Sequence, residues 1–286
     1  ASEAAGAIEN AEVADAADVA EAADVADAAD AGPGRYRLFL ARNVVLATGG
    51  PAGMYADSVY PFGHYGATGV AFQAGAVGKN LTEWQYGLAS VKPRWNVSGT
   101  YMQVLPRFIS TDRDGGDARE FLGDFFQNRG ELLSRVFLKG YEWPFDVRKV
   151  ASGSSIIDIL VYIECALKNR RVFLDFRDNP FSEPVDYSGL ATEARVYLEK
   201  AGALFGTPIE RLQHMNSPAV DFYRSRGVDL ATEPLEIALS AQHNNGGLSV
   251  DLWWQTSISG LFAVGEAAAS HGVYRPGGSA LNAGQV

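Results

Sequence analysis

The sequence has little of several features that mark particular classes of protein. Cysteine occurs once in 286 residues, at Cys165. This excludes an internal disulfide and a cysteine-rich metal or iron–sulfur site, and we interpret Cys165 as a small buried hydrophobic side chain. No hydrophobic run approaches the roughly 18 to 20 residues that a membrane-spanning helix needs, and no signal-peptide pattern opens the chain. We therefore expect a soluble, cytoplasmic protein with no membrane span.

Basic residues are missing from the first part of the chain. Residues 1–31 hold nine acidic residues and no lysine or arginine, although the whole chain has 34 acidic and 24 basic residues. Subtracting the nine leaves 25 acidic residues against 24 basic ones, so the formal charge of -10 lies mainly in this segment. A nearly neutral body gives no electrostatic reason to expect nucleic acid as a partner.

The acidic segment contains three copies of a six-residue unit at residues 13–30, with Val13, Val19 and Val25 six positions apart. On a helix this spacing turns each valine by about 240°, so no continuous apolar stripe forms. We interpret residues 1–34 as a mobile, acidic, alanine-rich segment that ends in a Gly-Pro-Gly sequence and has no catalytic role.

Two apolar runs predict buried strands that end in glycine. The segment Arg35–Gly50 alternates and then becomes continuously apolar, which indicates an edge hairpin partner followed by a buried strand. Leu261–Val264 is a second such run, followed by Gly265 and Glu266. Strands of this kind fit an α/β sheet whose ligand lies at the carboxyl ends of the strands.

The sequence between these runs has a different composition and predicts an inserted α+β domain. We expect a helix over Ser154–Lys168, a strand over Arg171–Asp175, and helices over 187–202 and 207–226, the last with Thr207 as cap and Pro208 in its first turn. The predicted organisation is an α/β nucleotide-binding sheet interrupted by this domain. Its parts are residues 35–78, the inserted domain 79–235, and residues 236–286.

Four motifs occur in order along the chain: VVLATGG at 44–50, GVAFQAGA at 69–76 followed by NLTEWQ at 80–85, HNNGG at 243–247, and GLFAVGEAAASHGVYRPGGSAL at 260–281. Together they resemble the carboxyl-terminal two-thirds of the flavoprotein family of succinate dehydrogenase and fumarate reductase. The resemblance implies a partial FAD-binding Rossmann-like domain, a capping domain over residues 79–235, and FAD as cofactor.

The resemblance also implies which residues contact the cofactor. The turn Thr48, Gly49 and Gly50 would approach the adenosine side of FAD, because glycine lets the backbone touch a ligand. Glu266 resembles the acidic residue that accepts a hydrogen bond from a ribityl hydroxyl. The amides of a helix entry would face the pyrimidine edge of the flavin and stabilise negative charge there; this entry consists of Gly277, Gly278, Ser279, Ala280 and Leu281.

The same resemblance assigns three residues to catalysis. His243 lies in the position of the family's HxxGG histidine, and Arg275 in that of the arginine that clamps a substrate carboxylate. Both residue types suit a small anionic substrate during hydride transfer. Arg148 is the nearest match to the capping-domain arginine that exchanges a proton with the substrate, and Lys149 is the alternative one residue along.

The chain departs from the family pattern at both ends. The GxGxxG loop that cradles the FAD pyrophosphate does not occur in it. The sequence also stops at LNAGQV, inside the expected helix, so we interpret it as truncated at both ends. We expect weak or absent FAD affinity and no covalent flavin attachment.

The substrate side departs as well. Gly87, Leu88 and Ala89 stand where dicarboxylate reductases carry His-Pro-Thr, and residues 64–67 read HYGA instead of TGDG. A fumarate- or succinate-like acid is therefore one possibility, and a ketosteroid or aromatic acid is another. A third hypothesis is a non-catalytic remnant or interaction module. The electron partner, the reaction direction and the oligomeric state stay open.

Overall fold

The computed structural model describes residues 39–272 as a mixed α/β structure. Its strands are β1 (Val44–Leu46), β2 (Gly78–Lys79), β3 (Trp84–Ser90), β4 (Trp95–Asn96), β5 (Arg107–Thr111), β6 (Arg171–Asp175), β7 (Leu235–Asn244), β8 (Gly247–Leu248) and β9 (Leu261–Ala263). Its α-helices are α1 (Thr68–Gln73), α2 (Thr100–Gln103), α3 (Arg129–Leu138), α4 (Ser155–Tyr162), α5 (Thr192–Lys200) and α6 (Pro208–Arg224). None of these described helices is long and apolar enough to cross a membrane.

The larger core is built on a five-stranded antiparallel sheet with the order β4-β3-β7-β6-β5. The ten-residue strand β7 lies in the middle of this sheet, and its last five residues are all buried. Helices α2 to α6 contribute apolar side chains to the same core. Members from the strands and helices include Leu88, Phe108, Leu174, Ile237, Phe137, Ile157, Leu212 and Tyr223.

Strands β1 and β9 form a separate two-stranded parallel sheet, in which Val44 pairs with Leu261 and Leu46 with Ala263. The two glycine-terminated strands are therefore direct neighbours, with the parallel orientation that an α/β sheet has. The expectation that β1 is buried is wrong, because Val44 and Val45 are 50% and 59% exposed. Within residues 39–272, β9 is the only strand paired with β1, so the apolar run lacks the second neighbour that a central strand has.

A smaller core lies beside the parallel sheet. It joins α1 and the residues after it to β8 and β9, and its side chains are mostly alanines: Ala71, Ala76, Leu248, Ala263 and Ala268. Alanine lets backbone segments approach closely. The segment GVAFQAGA therefore packs directly against the strands that flank the candidate site.

Several elements of the inserted region agree with their sequence patterns. Strand β6 has the predicted bounds, and the predicted helix at 154–168 is α4 followed by a π-helical turn, Ile163–Leu167. Helix α6 begins after Thr207, which forms a capping box with Glu210. Cys165 lies half-buried in the π-helical turn, and burial raises the pKa of its thiol to about 12.

The predicted boundary between residues 235 and 236 lies at the start of β7. The first part of this strand pairs with both β6 and β3 inside the larger core. Its last residues, His243 and Asn244, pair only with the beginning of β3 among the described strands. A single strand thus leads from the larger core to the residues near β9, and the domain division stays a prediction.

A buried ion pair joins two helices of the larger core. Lys139, just after α3, donates a hydrogen bond to Asp158 of α4, and their side chains are 1% and 0% exposed. Burial raises the pKa of Asp158 to about 6, although the attraction of Lys139 opposes this rise. Removing one charge therefore leaves the other in an apolar environment without a counter-charge.

We expect Lys139→Met to lower the free energy of unfolding by about 3 to 5 kcal/mol at neutral pH. Without Lys139, Asp158 must take up a proton on folding, so the variant becomes more stable as the pH falls toward the unfolded pKa of 3.8. Urea denaturation at pH 5 and pH 8 measures both effects. Equal destabilisation at the two pH values would contradict this account.

Arg224→Gln is the matched control for this pair. Arg224 forms an exposed ion pair with Asp221 at 2.9 Å on α6, and both side chains are more than half exposed. Exposed pairs contribute at most about 1 kcal/mol. The control variant should therefore keep nearly all of its stability at both pH values.

Candidate functional site

Glu266 lies where the two cores meet. It follows β9 in a short turn, Gly265–Ala267, and its side chain is 14% exposed. One carboxylate oxygen, Oε1, accepts from the backbone N–H of Asn244 at 2.8 Å and lies 3.1 Å from Nδ1 of His243. The other oxygen, Oε2, accepts from the hydroxyl of Tyr60. We call Glu266, His243, Asn244 and Tyr60 the Glu266 cluster.

The cluster keeps Glu266 ionised. Burial by itself raises the pKa of this carboxyl group, because it disfavours the charged form. Hydrogen bonds from His243, Tyr60 and the Asn244 amide stabilise the charged form more strongly, so the pKa lies below its ordinary value. At neutral pH the site therefore contains a mostly buried carboxylate.

His243 is held in one tautomer by this carboxylate. A carboxylate can only accept, so the proton of the neutral ring lies on Nδ1 and Nε2 is the acceptor. The side chain is 4% exposed, and Nε2 has no hydrogen-bond partner within residues 39–272. The buried ring of His271 meets His243 edge to face, with 4.6 Å between the ring centroids. A buried ring nitrogen without a partner among these residues would be satisfied by a hydrogen bond from a ligand.

The turn Thr48 to Gly50 packs against the cluster. A Cβ atom on Gly50 would lie 2.3 Å from Oε1 of Glu266, so any side chain at this position would force the carboxylate to move. Gly49 has φ of +68°, which side chains other than that of glycine rarely adopt. The resemblance predicts that Gly49 and Gly50 approach the cofactor. In the structure Gly50 approaches the carboxylate of Glu266, the residue that is predicted to hydrogen-bond the cofactor.

The HYGA segment fixes the other side of this turn. The backbone N–H of Ala67 donates to Oγ1 of Thr48 at 3.1 Å. A Cβ atom on Gly49 would lie 3.1 Å from Nε2 of His64, and one on Gly66 would lie 3.0 Å from the carbonyl oxygen of Gly49. The segment that replaces the family's TGDG thus holds the ATGG turn in place.

The two glycines of HNNGG are explained by close backbone contacts. A Cβ atom on Gly246 would lie 2.0 Å from the carbonyl oxygen of Asn80, and one on Gly247 would lie 2.5 Å from that of Ala267. Asn244 also accepts from the amide of Gly246 at 2.6 Å. The motif therefore brings the end of β7 against the turn that carries Glu266.

The structure brings together the predicted residues Thr48, Gly49, Gly50, His243 and Glu266. It places Arg148 in a short turn, Val147–Lys149, where the 66% exposed guanidinium forms a two-pronged pair with Asp146. This pairing lowers the pKa of Asp146 to about 2. The alternative, Lys149, pairs with Glu142 at 3.2 Å. The role of Arg148 stays a prediction.

The remaining predicted residues are Arg275 and the helix entry Gly277, Gly278, Ser279, Ala280 and Leu281. They lie outside the described range, which ends at residue 272.

Sequence reasoning missed Tyr60, His271 and the backbone amide of Asn244. Tyr60 lies 206 residues from Glu266 along the chain, in a loop without periodicity, so only the fold brings them together. His271 stands inside the quoted motif at 260–281, five residues after Glu266. A second histidine so near a strand-end carboxylate was an available signal.

The described residues fit FAD in two respects. Within residues 39–272, Oε2 of Glu266 accepts from Tyr60, and a carboxylate oxygen with one donor keeps acceptor capacity for a hydroxyl group of a ligand. Nε2 of His243 is a buried acceptor without a partner among residues 39–272. A cofactor rich in hydroxyl groups and ring N–H groups would satisfy both.

A family comparison identifies the class of protein. Residues 8–281 match the family described as FAD binding domain, which is nearly the whole chain. The chain belongs to this family, and with it to the flavoproteins that include succinate dehydrogenase, fumarate reductase and aspartate oxidase. The resemblance predicted from the motifs is thus confirmed, and FAD is the cofactor of the family.

Individual relatives agree with this assignment. The chain is 25% identical over 252 residues to L-aspartate oxidase 2 of Ralstonia nicotianae, covering 87% of the chain and 38% of that protein. It is 46% identical over 61 residues to a fumarate reductase (CoM/CoB) polypeptide of Methanothermobacter marburgensis, covering 21% of the chain and 11% of that protein. The chain thus spans less than two-fifths of the length of these curated relatives.

A solved quinol-fumarate reductase structure, described with menaquinol molecules, is similar with a TM-score of 0.50 and 18% identity. The match covers 85% of this chain and 37% of that one. At this identity the comparison bears on the fold alone. It supports a mixed α/β structure like the flavoprotein domains of fumarate reductases.

We expect Gly50→Ala to destabilise the protein by about 1 to 3 kcal/mol, because the added methyl group overlaps the Glu266 carboxylate and forces it to move. Thermal unfolding measures the loss. Gly69→Ala is the control, since Gly69 lies in α1 with open space around its Cβ position. That change should be neutral or stabilise by up to about 1 kcal/mol. Equal behaviour of the two variants would rule out the close contact.

We also expect Glu266 to contribute stability that depends on pH. Its folded-state pKa lies below the ordinary value of 4.5, so the contribution is present above pH 4.5 and is lost as the pH falls through the folded value. The difference in unfolding free energy between the native chain and Glu266→Gln should shrink as the pH falls below about 4.5. Denaturation curves at several acidic pH values test this, and a constant difference would count against an ionised, stabilising Glu266.

Proposed function

We propose that this chain is the flavin-holding part of an FAD-dependent dehydrogenase or reductase that acts on a small organic acid. Membership of the family supports FAD and oxidoreductase chemistry. The proposal has three finer parts. They are hydride transfer at flavin N5, a Rossmann-like arrangement around the 44–50 turn, and a capping domain formed by residues 79–235. The bound flavin would accept or donate the hydride.

The observation that carries the proposal is the Glu266 cluster. It combines an ionised, mostly buried carboxylate with a histidine whose second nitrogen has no partner among the described residues. Such a nitrogen costs stability unless a ligand satisfies it. The Glu266 cluster lies beside the 48–50 turn, and this position supports a ligand that contacts Gly50, His243 and Glu266 together.

Four residues of the chain would have separate roles in binding and catalysis. Glu266 fixes the tautomer of His243, and Nε2 of His243 then accepts a hydrogen bond from the ligand. Arg275 would hold a carboxylate of the substrate through a two-pronged ion pair. Arg148 would exchange a proton at the substrate carbon, which requires it to leave its pair with Asp146.

Gly87 supports a substrate other than a simple dicarboxylate. A Cβ atom there would lie 2.8 Å from Nε2 of Gln242 and 2.8 Å from the carbonyl oxygen of Trp143. The Gln242 amide is itself fixed, because it accepts from Asn96 and donates to the carbonyl oxygen of Leu88. The histidine that dicarboxylate reductases carry at this position therefore cannot fit without rearrangement.

We expect the chain to bind FAD, but weakly, because its sequence does not contain the GxGxxG loop that cradles the FAD pyrophosphate. Glu266→Gln should weaken the affinity by roughly 10-fold or more, because it removes a charged hydrogen-bond acceptor. Equilibrium dialysis gives both dissociation constants. Glu199→Gln, an exposed change on α5, is the control and should bind FAD like the native chain.

Substrate chemistry is tested separately on the FAD-loaded chain. With saturating FAD and without oxygen, unsaturated acids are added to the reduced flavin to follow its reoxidation, and saturated acids are added to the oxidised flavin to follow its bleaching. Reoxidation or bleaching by an acid supports the proposal. FAD binding with no change of the flavin spectrum in either direction leaves a cofactor-binding module, and absence of FAD binding would overturn the proposal as a whole.

A further inference from the structure

A groove of about 800 Å³ lies apart from the Glu266 carboxylate, on the other side of the loop at residues 56–62. This loop forms one wall. The turn between β3 and β4, residues 90–95, forms the floor, and the carboxyl-terminal end of α6 forms the opposite wall with Phe222 and Arg226. Its volume lies within the range of roughly 300 to 1,000 Å³ that is typical of small-molecule sites. We call it the aromatic groove.

Both walls present an aromatic ring with a cation over it. On the α6 side, the guanidinium of Arg226 lies 3.8 Å from the ring centroid of Phe222, which in turn lies 4.3 Å from that of Trp95. On the loop side, the guanidinium of Arg94 lies 5.8 Å from the ring centroid of Phe62. Phe62 is 87% exposed, so the protein's own core does not account for it.

The charge of the groove is positive. Its charged lining residues are Lys92, Arg94 and Arg226 against a single carboxylate, Asp57. The part of the chain beyond residue 31 is nearly neutral as a whole, with 25 acidic and 24 basic residues by the count above. The excess of two cations is therefore a local feature of this surface and favours an anion.

We propose that the aromatic groove binds a carboxylate carried on an aromatic ring system. The exposed rings of Phe62 and Trp95 would stack on a flat apolar ligand, and the nearby guanidinium groups of Arg94 and Arg226 would pair with its carboxylate. A small inorganic anion would leave the rings unused, and an uncharged ring would leave the cations unused. This inference concerns binding alone and does not depend on the flavin chemistry proposed above.

The groove is linked to the Glu266 cluster by one loop. Val59 and Pro61 line the groove, whereas Tyr60 between them binds Glu266. Arg94 fixes this loop by donating to the carbonyl oxygens of Ala56 at 2.9 Å and Tyr60 at 3.3 Å. We therefore leave Arg94 unchanged in the test, because its loss would disturb the loop itself.

The test titrates the chain with 2-naphthoate and follows binding by isothermal titration calorimetry. We expect saturable binding of one equivalent. Arg226→Gln and Lys92→Gln should each weaken the affinity by roughly 3- to 10-fold, because each removes one cation near the carboxylate. Phe62→Ala should weaken it by a similar factor through loss of stacking.

Arg224→Gln is the matched control, since Arg224 lies two residues before Arg226, pairs with Asp221 and does not line the groove. It should bind 2-naphthoate like the native chain. Acetate and 2-naphthalenemethanol, which keep only the charge or only the ring, should bind at least about tenfold more weakly. No saturable binding of 2-naphthoate, an equal loss in Arg224→Gln, or equal binding of either half-probe would overturn the proposal.

Discussion

The buried carboxylate of Glu266 is the interaction on which the arrangement of the site depends. It receives donors from the end of β7, from the His243 ring and from the Tyr60 loop, so it joins segments that belong to two different cores. A charge in this position is tolerated only when donors surround it. The absence of a side chain at Gly50 follows from the same carboxylate, because it fills the space that a Cβ would need.

The sequence predicts elements whose signals are local. The cap at Thr207, the strand Arg171–Asp175 and the glycine-terminated runs that become β1 and β9 are all correct in type and position. Each is encoded within a short window, by a cap residue, an alternation or a glycine. The predicted burial of β1 was wrong because burial depends on which neighbours a strand has, and a run of valines carries no such information.

The candidate site shows the same difference between local signals, which the sequence contains, and non-local contacts, which it does not. The ATGG glycines are predicted to make a close backbone approach, since glycine lets the backbone touch a ligand. No contact is predicted for the HNNGG glycines, and the protein partners of both glycine pairs could not be predicted. Tyr60 reaches Glu266 across 206 residues. Gln242 fills the space beside Gly87 because β3 pairs with β7, which joins residues about 150 positions apart. Such contacts arise only when non-local strands have paired.

The loop at residues 56–62 connects the Glu266 cluster to the aromatic groove through hydrogen bonds that leave it little freedom. Val59 donates to the carbonyl oxygen of Ala241, and Ala241 donates to that of Asp57, so the loop continues the sheet beside β7. Arg94 fixes it from the β3–β4 turn. Since Tyr60 cannot move without breaking these bonds, the geometry at Glu266 depends on residues that line the groove. The groove and the carboxylate therefore form one structural unit, although only the carboxylate lies among the family's motifs.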